Sequence, residues 1–247
     1  MKKLTDKLSE IYFWIDDIKK KNKVNDVYFR GHGYHKWELI PVLGRTENVK
    51  NYTENRLYYD FVQYGGHLIP AYKNTWEVLF LMQHHGIPTR LLDWTENFSV
   101  ALYFALKNST KGKSAAIWIL DPYCLNKNAI DRDRIPYLDV SYPEGYTSYF
   151  INDAHKNYGK FPATVAAIGI NPPNRRIVAQ KGAFTIHRDI INPLETAYPD
   201  CLKKITIEPE LIDDFKKYIV LTGITEFSLF PDLDGLSRFI KTLELTQ

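Results

Sequence analysis

Apolar residues recur at helical or strand spacing along most of the chain. Between Leu4 and Ile18 they return every three or four positions, and three lysines follow, which is typical of an amphipathic helix that ends near Lys21. Similar spacing and end signals predict further helices over residues 50–68, 76–84, 93–106 and 209–221, and a last helix that reaches Leu245. Short apolar runs predict strands at 27–31, 115–120, 165–170, 175–179, 183–187 and 204–207, with a short extended segment at 37–41.

One polar stretch interrupts this apolar pattern. Residues 83–95 read QHHGIPTRLLDWT and lie between the apolar runs 78–82 and 100–106. Gly86 and Pro88 are typical of a helix end, and Asp93 with Glu96 resembles a capping box, so we predict a polar loop between two buried helices. Polar groups that are buried without partners cost roughly 1–3 kcal/mol each. The stretch is therefore predicted to form the floor of a pocket.

The composition is that of an ordinary globular protein, with 247 residues of which 45% are hydrophobic and 25% charged. No internal repeat or linker is visible, so we predict a single domain over residues 1–247. Residues 121–162 are predicted to form a long surface insertion with a short helix at 149–157. A net charge of +3 does not by itself indicate nucleic acid, and the 17 tyrosines suit base stacking but equally an ordinary core and surface.

No segment predicts export or a membrane span. The N-terminus is charged rather than apolar, and no run of about 18 apolar residues occurs, so we expect a cytoplasmic protein with no membrane contact. The two cysteines, Cys124 and Cys201, lie far apart and in no metal-binding spacing, so no metal site is expected. A disulfide between them is left open.

Several motifs point to a known family. Tyr28-Phe29-Arg30-Gly31-His32, followed by WELIPVLGR at 37–45, resembles the start of the FRG domain, which is named for its Phe-Arg-Gly. The stretch 83–95 and then ALYFA at 101–105 continue the resemblance in order, so residues 27–120 carry its core motifs. A thinner match runs through residues 165–240. The resemblance names a family but no reaction, so the chemistry must be argued from the site.

A weaker resemblance is to the ADP-ribosyltransferase fold, and it implies an α+β domain with a split, mixed β-sheet and surrounding helices. That fold carries an Arg-Gly on its first strand, matched here by Arg30-Gly31, and the arginine binds the phosphates of NAD. A small hydroxyl residue and a helix that ends in Phe-Ala follow, matched by Thr95 and residues 104–105. Gly182 and Phe184 match its late strand.

The chain departs from that fold at the catalytic acid. Where the late strand would carry a Glu, residues 174–176 read Asn-Arg-Arg, with Gln180 nearby. The role of the acid would therefore fall to Asp93 or Glu226, or the activity is a different one.

Eleven candidate roles follow from these motifs. The candidate catalytic residues are Arg30, His85, Asp93 and Gln180, and the candidate NAD-binding residues are Arg30, Gly31, His84, Arg90, Trp94, Thr95 and Phe184. An arginine fork suits a phosphate, and the histidines suit acid–base chemistry or a ribose hydroxyl. Trp94 and Phe184 suit stacking on a ring of the ligand.

Each candidate also has a purely structural alternative. Arg30 would pair with Asp93, and Arg90 would pair with the same acid three residues on. The histidines and Trp94 would fill the core, and Thr95 or Asp93 would cap a helix. Asp232 and Asp234 suit acid catalysis or a metal, but we favour the cap of the last helix, at least for Asp232.

Two main hypotheses remain, with a third alternative beside them. The first is an NAD-consuming, ADP-ribosyltransferase-like enzyme, a toxin or phage-defence effector that uses NAD as substrate, modifies nucleic acid or protein, and has an antitoxin as partner. In it, Asp93, Gln180 or Glu226 would stabilise the oxocarbenium-like centre as nicotinamide leaves. The second is a non-catalytic module that binds a nucleotide or nucleic acid. The third is a hydrolase that uses Asp93 with His85.

Overall fold

The computed structural model describes residues 2–46, 53–69, 74–138, 164–170 and 175–245 of the chain. Within these ranges, six strands form one sheet in the order β4-β5-β2-β1-β3-β6. The strands are β1 (Tyr28–His32), β2 (Leu91–Thr95), β3 (Ala115–Leu120), β4 (Val165–Ile168), β5 (Gly182–His187) and β6 (Leu202–Ile207). The α+β class is confirmed. Each pairing between these strands is antiparallel, whereas the resemblance implied a mixed sheet.

Helices cover both halves of this sheet. They are α1 (Lys2–Asn22), α2 (Val42–Arg45), α3 (Thr53–Gly65), α4 (Thr75–His84), α5 (Phe98–Lys107), α6 (Pro122–Ile130), α7 (Arg175–Ala179), α8 (Leu194–Ala197), α9 (Ile212–Leu221), α10 (Glu226–Leu229) and α11 (Leu233–Leu245). Helices α1, α5 and α9 bury their apolar faces against β1, β3 and β6. Helices α3 and α4 bury theirs against β2, β4 and β5. None of the helices in the described ranges is long and apolar enough to span a membrane.

The polar stretch 83–95 contains a strand, so the prediction of a loop between two helices is wrong there. Along β2 the exposed Asp93 lies between the buried Leu92 and Trp94, which is the alternation of a strand. Helix α5 therefore begins later than predicted, after Asn97, whose side chain accepts a hydrogen bond from the Ser99 amide. The prediction at Gly86 is confirmed, because it follows α4 with a positive φ of 78°.

Other boundaries were also corrected by the structure. Residues 175–179 form a helix rather than the predicted strand, and 37–41 contain no strand. Helix α4 begins at Thr75 and is capped by Asn74, whose side chain accepts from the Glu77 amide at 3.1 Å. The predicted insertion begins with helix α6, whose first two free amides are accepted by the Asp121 carboxylate. The helix predicted at 149–157 lies outside the described residues.

The sheet is split between β1 and β2. Strand β1 pairs with β3 over five residues, but its register with β2 contains the single pair Phe29 and Thr95. Beyond that pair the two strands part, and α5 packs across the junction. Gly31 makes this packing possible, because a Cβ at that position would lie 1.9 Å from the carbonyl oxygen of Ala101. The two strands thus diverge within one sheet, while the split, ADP-ribosyltransferase-like core that the resemblance implied stays a prediction.

A disulfide joins Cys124 of α6 to Cys201, which lies just before β6. The bond closes a loop across 77 positions and ties the helix to the edge of the sheet. Such bonds are more usual in oxidising compartments than in the cytosol. The predicted cytoplasmic location therefore stays a prediction.

We expect reduction of this disulfide to destabilise the protein by about 2–4 kcal/mol, because the unfolded chain regains the entropy of a long loop. For a chain of this size the loss corresponds to roughly 5–15 °C in melting temperature, measured by calorimetry with and without dithiothreitol. The double variant Cys124→Ser/Cys201→Ser is the control, since it should melt like the reduced protein and ignore the reductant. Equal melting of the oxidised and reduced protein would contradict a structural role.

Candidate functional site

A cavity of about 270 Å³ opens where β1 and β2 part. Strands β1, β2 and β5 and helices α4, α5 and α7 contribute its walls, and we call it the cleft. Eight of the predicted site residues line it, namely Arg30, Gly31, His84, Asp93, Trp94, Thr95, Gln180 and Phe184. His85 and Arg90 do not. Phe80, Gln83, Phe104 and Arg176 also line it, although the sequence did not single them out as site residues.

Arg30 is the most buried charge in the cleft, with 18% of its side chain exposed. Its Nε donates to His32 Nε2 at 3.1 Å, and its Nη1 donates to the backbone carbonyl of Asp93. The Asp93 carboxylate lies 3.8 Å from the same nitrogen, so the ion pair considered from the sequence is present. Burial lowers the pKa of Arg30 to about 10, which leaves the guanidinium charged at neutral pH.

His32 holds the Arg30 guanidinium in place. Its Nδ1 lies 3.2 Å from the carbonyl oxygen of Trp37, so this nitrogen carries the proton and Nε2 is left to accept from Arg30. Burial, reinforced by the charge of Arg30, lowers the pKa of His32 to about 3. The imidazole is therefore neutral at physiological pH and acts as a hydrogen-bond acceptor.

Asp93 is half exposed, and Gln83 fixes its carboxylate. The Gln83 amide nitrogen donates to Asp93 Oδ2 at 2.8 Å, while its oxygen accepts from the Thr89 hydroxyl. Thr89 in turn accepts from the Leu91 amide at 3.1 Å, which sets the direction of the whole chain of bonds. Gln83 was overlooked because its place next to Asp93 depends on how α4 ends against β2.

The charges around Asp93 are mostly positive. Besides Arg30, the guanidinium groups of Arg45 and Arg176 lie close enough for Asp93 to raise their pKa against the larger, opposite effect of burial. Burial and the charge of Arg176 lower the pKa of His84, so this histidine is neutral at pH 7. Among the described residues, the cleft thus holds one carboxylate and two arginines, with Arg45 nearby, and this charge favours an anionic ligand.

Aromatic rings supply the apolar part of the cleft. Phe80 and Phe184 pack with ring centroids 5.1 Å apart, and Phe184 is almost fully buried. Trp94 is equally buried, and its Nε1 donates to Thr185 Oγ1 on the far face of the sheet at 3.0 Å. The indole therefore serves mainly the core, as its structural alternative proposed.

Two further candidates are tied into the turn between α7 and β5. The Thr95 hydroxyl donates to the carbonyl oxygen of Gln180 at 2.7 Å and accepts from the Asn97 amide. The Gln180 amide nitrogen donates to the carbonyl oxygen of Leu229 at 3.1 Å. Both side chains thus line the cleft while their polar atoms hold its walls together.

Arg90 lies at the other end of β2 and makes a structural ion pair. Its Nε lies 2.9 and 3.0 Å from the two carboxylate oxygens of the buried Glu54, and its Nη1 donates to the carbonyl oxygen of His187. Arg90 therefore has the structural ion pair that its alternative role required, but with Glu54 rather than with Asp93. His85 is the exposed C-cap residue of α4, and no hydrogen bond joins it to Asp93 within the described residues.

The acids near the C-terminus also have structural partners. Glu226 accepts hydrogen bonds from Tyr103, Lys107 and Arg238. Burial raises its pKa, but these bonds outweigh that effect and lower the pKa to about 2. Asp232 accepts from the Gly235 amide at 2.6 Å, which confirms its predicted capping role. No cluster of three or more metal-ligating side chains occurs in the described parts of the chain.

Two buried histidines make stability depend on pH. Burial lowers the pKa of His187, as of His32, to about 3, and His187 Nε2 lies 2.8 Å from Thr185 Oγ1. Both histidines are buried in their neutral form, and folding lowers the pKa of each. The folded state is therefore not penalised by these two side chains above about pH 6.5, and the free energy of unfolding decreases as pH falls from there toward 3. Around pH 5 the unfolded chain should therefore bind about two more protons at these sites than the folded protein.

Urea unfolding between pH 4 and 7 measures this slope. In a His187→Gln variant the slope should fall by about one proton, because the amide oxygen accepts from Thr185 without titrating. Replacing the exposed His67 by Asn is the matched control and should leave the slope unchanged. An unaltered slope in His187→Gln would show that the buried imidazole does not control the effect.

Comparison with known proteins identifies one family. The FRG domain model matches residues 25–114, a range that runs from just before β1 to the end of the loop after α5 and includes both Arg30 and Asp93. No curated protein and no solved structure matches the chain. The family model therefore supports the resemblance that the motifs at Arg30-Gly31 and in the stretch 83–95 indicated. Through residues 25–114, this chain contains an FRG domain.

Proposed function

We propose that the cleft binds NAD and that the protein is an NAD-consuming enzyme of the ADP-ribosyltransferase type. One observation carries the proposal. The buried, charged Arg30 faces the split in the sheet, and the Asp93 carboxylate stands in the same cleft 3.8 Å from it. A phosphate-binding cation and a carboxylate are the two groups that this reaction requires.

Arg30 has donors left for a ligand. A guanidinium carries five N–H donors, and two of them are used, one on His32 and one on the Asp93 carbonyl. Within the described residues the Nη2 group has no protein partner, and a phosphate accepts such a fork in a bidentate fashion. The cleft volume of about 270 Å³ lies just below the roughly 300–1,000 Å³ typical of ligand sites. It therefore encloses one end of a dinucleotide, and the other end would extend from the opening.

Asp93 is placed to act on the bond that breaks. As the bond between the ribose C1′ and the nicotinamide nitrogen breaks, its electron pair leaves with nicotinamide and positive charge develops on the ribose. A fixed carboxylate stabilises that charge without reorganising, because Gln83 already holds it. Water or an acceptor then forms a bond to C1′ and releases its proton to solvent. Under this proposal the acceptor is nucleic acid or protein, the biological role is that of a toxin or phage-defence effector, and an antitoxin is the expected partner.

A second candidate is a nucleotide-binding module without chemistry. It is favoured by β5, whose sequence Gly-Ala-Phe-Thr-Ile-His contains no acid, and by the ties of Asp93 to Arg30 and Gln83. The two candidates differ in one measurement. Incubation of the protein with NAD, alone and with RNA, DNA or cell extract, releases nicotinamide if the first holds. Binding of NAD without release under all of these conditions supports the second.

The variant Arg30→Lys tests the phosphate contact. Lysine keeps the charge but loses the planar fork, so we expect NAD affinity to fall by about tenfold or more in isothermal titration calorimetry. Arg56→Lys is the matched control, because that side chain is 84% exposed and forms a surface pair with Asp60. Affinity that survives in a folded Arg30→Lys protein would exclude Arg30 as the phosphate ligand.

The variant Asp93→Asn tests the chemistry separately from binding. The amide still accepts from Gln83 but lacks the negative charge, so kcat for nicotinamide release should fall by about 10²–10³. KM should change by less than about threefold, because Asp93 does not hold the phosphates. Asp60→Asn on α3 is the control for loss of one surface charge. A folded Asp93→Asn enzyme with normal kcat would remove Asp93 from the mechanism.

A further inference from the structure

A second arginine stands in the cleft without an assigned role. Arg176 on α7 lines the same cavity as Arg30, and its guanidinium carbon lies 4.6 Å from the centre of the Phe230 ring. Within the described residues, no hydrogen bond or ion pair engages its N–H groups. A half-buried cation that stacks on a ring but leaves its donors unused is costly unless something accepts them.

Arg238 shows that an arginine in contact with the Phe230 ring can still form an ion pair. It also stacks on Phe230, at 5.4 Å, but its Nε donates to Glu226 at 2.8 Å, and it does not line the cleft. Its side chain is 49% exposed. One ring therefore holds two arginines, of which the outer one is neutralised by a carboxylate and the inner one faces the cavity.

Charge around Asp93 leads to the same result. Within the described residues, Asp93 is the acid that pairs with Arg30, and it also acts on Arg176. Asp232 and Glu226 act on Arg176 as well, but neither lines the cleft, where one carboxylate therefore faces two guanidinium groups. The remaining positive charge lies within a cavity of about 270 Å³. The two phosphates of a diphosphate share a bridging oxygen and suit a space of this size, whereas successive phosphates along a nucleic-acid strand lie farther apart.

We propose that Arg176 binds the second phosphate of a diphosphate whose first phosphate lies on Arg30, so that the cleft selects nucleoside diphosphates and dinucleotides over monophosphates. The proposal rests on the cleft being a nucleotide site. Contact with the Phe230 ring restricts the planar Arg176 guanidinium, which lowers the entropy lost when the fork binds a phosphate. Arg176 is thus a specificity residue contributed from outside the matched FRG range.

Titration calorimetry with inorganic phosphate, inorganic pyrophosphate and NAD tests this inference. For Arg176→Gln we expect pyrophosphate affinity to fall by about tenfold or more, the effect of losing one charge-assisted contact, while phosphate affinity changes by less than about threefold. Arg238→Gln is the matched control, because it removes a cation from the same ring but outside the cleft, and it should alter neither affinity by more than about twofold. Thermal unfolding checks each variant, and Arg176→Lys, which keeps the charge without the fork, should lose pyrophosphate affinity if the Gln variant does not fold.

Each outcome decides a different point. Equal losses for phosphate and pyrophosphate, or none for either, would overturn the role of Arg176. If NAD binds the wild type and Arg176→Gln alike, the diphosphate contact fails while the proposed function stands. If pyrophosphate binds through Arg176 but NAD does not bind the wild type, the contact stands and the NAD proposal fails. Absence of binding by all three probes would overturn both.

Discussion

A charged guanidinium held away from water is the constraint on which the rest of the cleft depends. Burying Arg30 is unfavourable unless its donors find acceptors, and the fold supplies them from two directions. His32 reaches it along the same strand, and the backbone of β2 reaches it across the split. The split is thus more than a gap in a ladder of hydrogen bonds. Where β1 and β2 stop pairing, the Asp93 carbonyl that a partner strand would have used becomes available to the arginine.

The polar groups of the cleft fall into two sets, and the difference between them narrows the chemistry. The first set forms its hydrogen bonds within the protein and consists of Thr95, Gln180 and Gln83. These bonds fix the turn before β5 and the direction of the Asp93 carboxylate. Within the described residues, the Nη2 group of Arg30 and the N–H donors of Arg176 have no such partner. A site whose amides and hydroxyls are committed to the walls, and whose free donors are guanidinium groups, recognises anions by charge and shape rather than by a pattern of neutral hydrogen bonds.

Local patterns in the sequence predicted the elements whose signals do not compete. Strand β3 is a run of six buried apolar residues and was found at its true bounds, and β5 was found to within one residue. Residues 91–95 fit two patterns, the alternation of a strand and a capping box at Asp93. The capping box predicted a helix from residue 93, but the segment forms strand β2. In the strand, Asp93 is the exposed position of the alternation, which a cap also requires. Residues 175–179 are rich in β-branched side chains, yet the turn at Gln180 closes them into a helix. Motifs mark Arg30 and Asp93 in the sequence, and both line the cleft. The place of Arg176 in the cleft could not be predicted from local sequence patterns. It depends on the pairing of Gly182 with Thr95, which lie 87 positions apart.

Gly31 bears on what the family signature means. There is no room for a Cβ between β1 and the Ala101 carbonyl, so Gly31 allows helix α5 to pack closely against the strand. This close packing also fixes the position of the neighbouring Arg30. A Phe-Arg-Gly sequence therefore indicates this helix–strand contact, and it does not by itself indicate a reaction. Chains that share the signature should share this contact, while the acid opposite it, and the second cation brought by a later segment, are free to differ. Enzymes and mere binders can then be expected under one family name, to be told apart by what each chain places across the cleft.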